Sequence, residues 1–151
     1  MLPWNEQVIA DWAHWDLMAW ARRPLPETVQ ERFAGDQASF DIRFLEDLLV
    51  RLGDNGELLA QLGYLYTQVG RYRDGLAVDR RLVALRPRDA IAYYNLACSH
   101  SRLKQATRAF GALRTAFELG YRDLEHMQAD PDLENIRTDP RWNDLVGAIK
   151  L

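Results

Sequence analysis

The stretch LGYLYTQVGRY, residues 62–72, places a glycine inside a segment that otherwise has the pattern of a helix. Apolar residues recur at helical spacing around Gly63, and they are Leu58, Leu62, Leu65 and Val69. A glycine in the interior of a helix costs about 1 kcal/mol relative to alanine. We therefore expect that Gly63 is needed because a second helix crosses close to it.

The chain repeats itself at a period of 34 residues, and this repeat is its strongest fold signal. Displacing the sequence by one period pairs Leu62 with Leu96, Gly63 with Ala97, and Gly75 with Ala109. Small residues thus recur at two positions of each unit. Self-similarity at this period predicts two helical hairpins whose helices cross at the small residues.

The repeated positions resemble the tetratricopeptide repeat, whose signature combines a large residue, Leu-Gly, Tyr, a small residue and a final Pro. The first unit has Leu59, Leu62, Gly63, Tyr66, Gly75 and Pro87 at these positions, and the second has Tyr93, Leu96, Ala97, His100 and Ala109. The resemblance implies an all-α fold, a right-handed superhelical solenoid of antiparallel helix hairpins. Four positions depart from the family pattern: Leu59 replaces Trp, Gly75 replaces Ala, Asp79 replaces a bulky apolar residue, and Tyr121 replaces Pro.

We predict one domain over residues 1–151, with complete units at 56–89 and 90–123. Residues 36–55 fit the second helix of a degenerate first repeat, and residues 1–35 are predicted to be a Trp-rich helical cap. Capping helices are expected over 124–151, a tail that resembles the closing segment of many bacterial tetratricopeptide proteins. Asp-Pro pairs at 130–131 and 139–140 predict that helices start there.

The first 23 residues contain four of the five tryptophans, and helical spacing gathers them on a broad apolar face. This helix is interpreted as a cap on its own solenoid, as a docking element for a second subunit or partner, or as a membrane-surface helix. Its polar positions include Glu6, Asp11 and Asp16, which anionic lipid would repel. The membrane interpretation is therefore the least favoured of the three.

The remaining composition indicates a soluble protein of the cytoplasm. A single cysteine, Cys98, excludes an internal disulfide. The first residues are acidic where a secretory signal requires a basic region followed by an apolar run. No stretch approaches the 18 uncharged apolar residues that a membrane-spanning helix needs.

Motifs for catalysis, cofactor binding or metal binding are absent from the sequence, so we predict neither an enzyme nor a cofactor. Cys98 and His100 point in different directions on a helix and cannot act together as nucleophile and base. The segment DPDLE begins like a calcium loop at Asp130 but lacks the glycine such a loop requires. We interpret its acids as helix caps.

The resemblance implies that the first helix of each hairpin lines a concave binding surface. The candidate partner-binding residues are Gln61, Tyr64, Gln68, Tyr94, Asn95, Cys98 and Arg102. Amides and tyrosines of this kind suit an extended peptide or a partner helix. Ala60 and Tyr64 replace the Lys and Asn that family members use to clamp a terminal carboxylate, so such a clamp is not expected.

Charge is unevenly distributed along the chain. Residues 58–122 hold 11 basic and 4 acidic side chains, whereas residues 1–57 hold 5 and 11, and residues 123–151 hold 3 and 7. The favoured function is a non-catalytic adaptor for a peptide or helix of another protein, with an acidic partner suggested by the basic middle. The alternatives are a homo-oligomeric structural module, associating through the Trp-rich helix, and nucleic-acid binding through the arginines at 71, 73, 80, 81, 86 and 88. The overall pI of about 5.6 disfavours nucleic acid.

Overall fold

The computed structural model describes residues 37–149, and every regular element in that range is helical. The helices are α1 (Gln37–Leu52), α2 (Gly56–Gln68), α3 (Tyr72–Leu85), α4 (Ala90–Arg102), α5 (Ala106–Glu118), α6 (Leu124–Ala129), α7 (Glu134–Arg137) and α8 (Arg141–Ile149), with a 3-10 turn at Pro131–Leu133. All described residues except Gln37 belong to one compact unit, Ala38–Leu151. The predicted Trp-rich cap lies outside the described residues.

The described elements contain two helical hairpins, α2 with α3 and α4 with α5, that follow one another at the predicted period. Gly56 and Ala90 begin the first helices of the two hairpins, and Tyr72 and Ala106 begin the second helices, each pair 34 residues apart. Connectors of a few residues make successive helices antiparallel. The internal repeat predicted from the sequence is therefore present in the helix boundaries.

The ends of the helices repeat as well. Asn55 and Asp89, one period apart, cap α2 and α4 by accepting hydrogen bonds from the second and third backbone N–H groups of the helix, at 2.9–3.2 Å. After these helices, Gly70 and Lys104 occupy the left-handed region at φ +76° and +58°. This conformation closes the helix end but is strained for any residue other than glycine.

Gly63 lies where α2 and α3 pack closely together. A Cβ on Gly63 would lie 2.9 Å from Oδ1 of Asp79 on α3, and a Cβ on Gly75 would lie 3.7 Å from the carbonyl oxygen of Gly63. The expected close crossing at Gly63 is therefore confirmed. The residue on α3 that faces Gly63 is Asp79, whose carboxylate is buried.

Two apolar clusters form the core of the described residues. The first joins α1, α2 and α3, and its most deeply buried side chains include Leu59, Leu62 and Leu82. The second joins α4 and α5 to the C-terminal elements through Leu113, Met127, Leu133, Ile136 and Trp142. The C-terminal segment therefore covers the apolar surface of the second hairpin.

The Asp-Pro pairs start helical segments as predicted. Asp130 accepts a hydrogen bond from the backbone N–H of Asp132 at 2.9 Å, at the start of the 3-10 turn that leads into α7. Asp139 accepts from the backbone N–H of Arg141 at 3.0 Å, where α8 begins. Each aspartate thus caps the first turn of its segment.

Candidate partner-binding cleft

A cleft of about 310 Å³ opens between α2, α4 and the segment after α6. The first helices of the hairpins contribute Gly63, Tyr64, Thr67, Gln68, Tyr94, Asn95 and Cys98 to its lining. The other contributions are Asp79 from α3 and His126, Asp130, Pro131 and Asp132 from the C-terminal segment. Five of the seven residues predicted to bind a partner are therefore brought together in one depression.

The accessible rim of the cleft consists of Tyr64, Gln68 and Asn95. Tyr64 is 64% exposed although it is a large aromatic side chain, Gln68 is exposed, and Asn95 is half-buried. Tyrosine combines apolar contact area with a polar tip, and amides both donate and accept hydrogen bonds. The rim can thus contact a polypeptide without rearrangement of the core.

Tyr94 and Cys98 form the floor of the cleft, which corrects their expected role as accessible contacts. The Tyr94 hydroxyl donates to Oδ2 of Asp130 at 2.6 Å, and its ring stacks on Tyr121 at 4.5 Å between centroids. The Cys98 Sγ lies 3.6 Å from the same Asp130 oxygen. The C-terminal segment reaches over α4 and buries both side chains.

Burial also determines the chemistry of Cys98. It raises the pKa of the thiol well above its ordinary value, and the nearby carboxylates of Asp130, Asp132 and Asp79 raise it further. A thiol held in its protonated form is a poor nucleophile and a poor metal ligand. This environment agrees with the inert role expected for Cys98.

Gln61 and Arg102 do not line the cleft. Gln61 is exposed on α2 and is absent from the cleft lining, although Tyr64 lies one helical turn further along. The Arg102 guanidinium lies over the Tyr72 ring at 4.6 Å, and its Nε is 3.6 Å from Oδ1 of Asp132. Arg102 therefore acts on the cleft through Asp132, whose carboxylate it holds beside α4.

Asp79 is a cleft residue that the site prediction missed. Its side chain is buried, and Ser99 Oγ donates a hydrogen bond to Asp79 Oδ2 at 2.6 Å. Burial raises the pKa of Asp79 to about 6, although the hydrogen bond from Ser99 opposes the shift. The signal for it was present, because an acid occupied a position where the repeat family has an apolar residue.

The C-terminal carboxylates were also missed as site residues. Asp130 Oδ2 lies 3.7 Å from Nε2 of His126, and burial together with Asp130 raises the pKa of Asp132. Asp130 was identified as a cap, but it is 36 residues away in sequence from Tyr94, its hydrogen-bond partner. No local pattern joins these positions, so only the packing of the tail could reveal them.

Much of the positive charge of the repeats is neutralised by nearby acids. Arg71 pairs with Asp74 at 2.7 Å, Arg86 pairs with Glu57 at 2.6 Å, and Arg81 pairs with Asp54. Three of the six arginines considered for nucleic-acid binding are therefore in ion pairs, and carboxylates line the cleft itself.

The described part of the chain has neither a metal-binding cluster nor a membrane-spanning helix. Within 37–149, no group of three or more His, Cys, Asp or Glu side chains is arranged to hold a metal ion. None of the helices in the same range has the length and apolar character needed to cross a bilayer.

Comparison with known proteins gives a partial similarity. No protein-family model matches the chain. It is 30% identical over 87 residues to a chloroplastic protein of Arabidopsis thaliana. The aligned region is 56% of this chain but 26% of that protein, so the chain spans about a quarter of the length of this relative.

Proposed function

We propose that the protein is a non-catalytic adaptor that binds a peptide segment or a helix of another protein in the cleft. The observation that carries the proposal is the accessible rim of Tyr64, Gln68 and Asn95 above the buried floor of Tyr94 and Cys98. Rigid aromatic side chains and amides placed around a preformed depression provide contact area and pair with the backbone of an extended segment. Such binding would require little ordering of the adaptor itself.

We further propose that the two hairpins are tetratricopeptide repeats in a right-handed solenoid. The shared helix boundaries, the equivalent caps at Asn55 and Asp89, and the small residues at the helix crossing support this. In that family the first helices of successive hairpins line the concave side. Here α2 and α4 both line the cleft.

A non-catalytic role in the cytoplasm fits the environments of Cys98 and His100. The free thiol of Cys98 suits a reducing compartment. The Nδ1 atom of His100 lies 2.8 Å from Oε1 of Gln105, and burial lowers the pKa of the imidazole. Both groups are occupied in packing, so neither supports a catalytic role.

Nucleic-acid binding is less well supported. A phosphate-binding surface needs accessible cations arranged along one face. The ion pairs of Arg71, Arg81 and Arg86 reduce the charge available for that purpose.

Self-association is a second candidate function, favoured by exposed apolar side chains on α1. Phe44, Val50 and Leu52 are 54%, 85% and 70% exposed. Exposed apolar side chains on one helix suit contact with a second copy. Light scattering coupled to size-exclusion chromatography, on wild type and Val50→Glu, tests self-association. A wild-type protein that is monomeric at every concentration would exclude a homo-oligomeric module.

The adaptor proposal is tested by affinity capture from lysate of the source cell at low and high salt, read by mass spectrometry. The informative variant is Tyr64→Ala, Gln68→Ala, Asn95→Ala, and the matched control is Gln128→Ala, exposed on α6 and outside the cleft lining. We expect one protein partner that wild type and the control retain and the triple variant loses, with melting temperatures unchanged. Equal capture by all three proteins would contradict binding in the cleft.

A further inference from the structure

The first hairpin differs from the second at two positions, and both residues of the first hairpin line the cleft. Gly63 faces Asp79, whereas the residues one period later are Ala97 and Leu113, both 0% exposed. The second hairpin is thus closed by apolar contact. In the first, a glycine with no side chain lies beside a carboxylate, and both residues line the cleft.

The Asp79 carboxylate is incompletely satisfied. Ser99 donates to Oδ2, but no donor among residues 37–149 reaches Oδ1, the oxygen that faces Gly63. A carboxylate removed from water is costly unless charge or several hydrogen bonds compensate it. Asp79 is therefore a buried acceptor with unused capacity at the edge of a solvent-connected depression.

Two further carboxylates give the same depression a negative potential. Asp130 and Asp132 line it from the C-terminal side, with Arg102 the nearby guanidinium that offsets Asp132. Burial is the main cause of the raised pKa of Cys98, and Asp130, Asp132 and Asp79 all add to it. The fields of the three carboxylates thus converge on one buried group in the cleft floor.

We propose that the cleft receives a cationic side chain, arginine or lysine, from the partner segment, with its charge directed toward Asp79. This inference rests on the proposed adaptor function and is argued from charge complementarity. The exposed ring of Tyr64 adds aromatic surface on which such cations bind well. A volume of about 310 Å³ is at the small end of ligand pockets and suits one side chain better than a whole helix.

The test is a selection of random dodecapeptides displayed on phage against the immobilised full chain at about pH 8. We expect the enriched peptides to share an arginine or lysine. Asp79→Asn keeps the size of the side chain and can accept from Ser99, and we expect it to weaken the selected peptide about ten-fold or more. Asp47→Asn makes the same charge change at an exposed position on α1 and should leave the affinity unchanged.

A second measurement uses wild-type protein only, so it does not depend on how Asp79→Asn folds. The shared arginine of the selected peptide is replaced by citrulline, or the shared lysine by norleucine. Either change should weaken binding to wild type about as much as Asp79→Asn weakens binding of the original peptide. Tyr64→Ala should also weaken binding, which locates the peptide at the rim of the cleft.

The outcomes separate this inference from the function on which it rests. Enriched peptides that are acidic or neutral, or cationic peptides that bind Asp79→Asn and wild type equally, would overturn the cationic site and leave the adaptor function standing. A selection that enriches no peptide would contradict both.

Discussion

The two hairpins share their helix boundaries but differ in how their helices meet. Both begin after a side-chain cap, at Asn55 and Asp89, and the second has the fully buried Ala97 and Leu113 at the positions equivalent to Gly63 and Asp79. In the first, Gly63 meets a buried carboxylate. The comparison shows that one backbone arrangement accommodates either buried apolar side chains or a buried carboxylate at equivalent positions. It also identifies the substitutions that should give one hairpin the helix contact of the other.

The largest effect is expected when the second hairpin receives the carboxylate of the first. Leu113→Asp removes a fully buried leucine and places an acid opposite Ala97. The lost apolar contacts and the desolvation of the carboxylate should lower the free energy of unfolding by about 4 kcal/mol. Urea denaturation followed by circular dichroism measures this change. A variant as stable as wild type would show that the second crossing tolerates a charge as the first does.

The next effect is the pH dependence that Asp79 confers on the first hairpin. Its pKa is raised from 3.8 to about 6 in the folded state, so the folded state holds the proton more strongly than the unfolded chain. The contribution of Asp79 to stability is therefore most favourable below pH 3.8 and falls as pH rises through about 6. The shift corresponds to about 3 kcal/mol, as an upper value.

Urea denaturation of wild type and Asp79→Asn at about pH 4 and pH 7.5 checks this sign. The asparagine variant should gain stability relative to wild type as pH rises. The difference in free energy of unfolding between the two proteins gives the contribution of Asp79, because the other carboxylates are the same in both. Parallel pH profiles would mean that Asp79 keeps an ordinary pKa in the folded protein.

A smaller loss is expected when Gly63 receives a side chain. Gly63→Leu forces atoms into the space beside Asp79 Oδ1, which a Cβ alone would approach to 2.9 Å. Overpacking of this kind costs about 1–3 kcal/mol. The control is Gly111→Ala, since a Cβ at that helical position meets nothing within 4 Å and should stabilise the protein slightly. Equal melting temperatures for wild type and Gly63→Leu would refute the close crossing.

The smallest effect concerns the equivalent helix ends at Gly70 and Lys104. Lys104 has φ +58°, a conformation that glycine adopts without strain. Lys104→Gly should therefore raise the free energy of unfolding by about 0.5–1 kcal/mol, whereas Gly70→Ala should lower it by a similar amount. Thermal unfolding of both variants tests whether the two helix ends are interchangeable. A loss of stability in Lys104→Gly would show that the lysine side chain has a compensating contact.

Sequence reasoning performed best where the signal was local or periodic. The period of 34 residues located both hairpins, and the pairing of Gly63 with Ala97 identified the helix crossing. The aspartates before Pro131 and Pro140 were recognised as helix starts because a cap is a contact within one turn. These features depend on residues that are close together in the chain or regularly spaced along it, so the sequence pattern is sufficient to predict them.

Prediction of the cleft was less complete. Tyr64, Gln68 and Asn95 lie on the accessible rim, whereas Tyr94 and Cys98 were expected to be accessible and are covered by the tail. Their burial depends on how the segment around Asp130 packs on α4, and no periodic pattern encodes that contact. The arginine content suggested an acidic partner, whereas the ion pairs and the cleft carboxylates favour a cation.

By itself, the sequence determined the all-helical composition, the repeated hairpins and the positions of the caps, because each follows from hydrogen bonds and apolar spacing within a few turns. Only the tertiary structure decided that a glycine would leave the Asp79 carboxylate facing a cleft and that Asp130 and Asp132 would complete it. These groups come from three parts of the chain, and their potential depends on distance and burial. Both quantities exist only after the helices have packed.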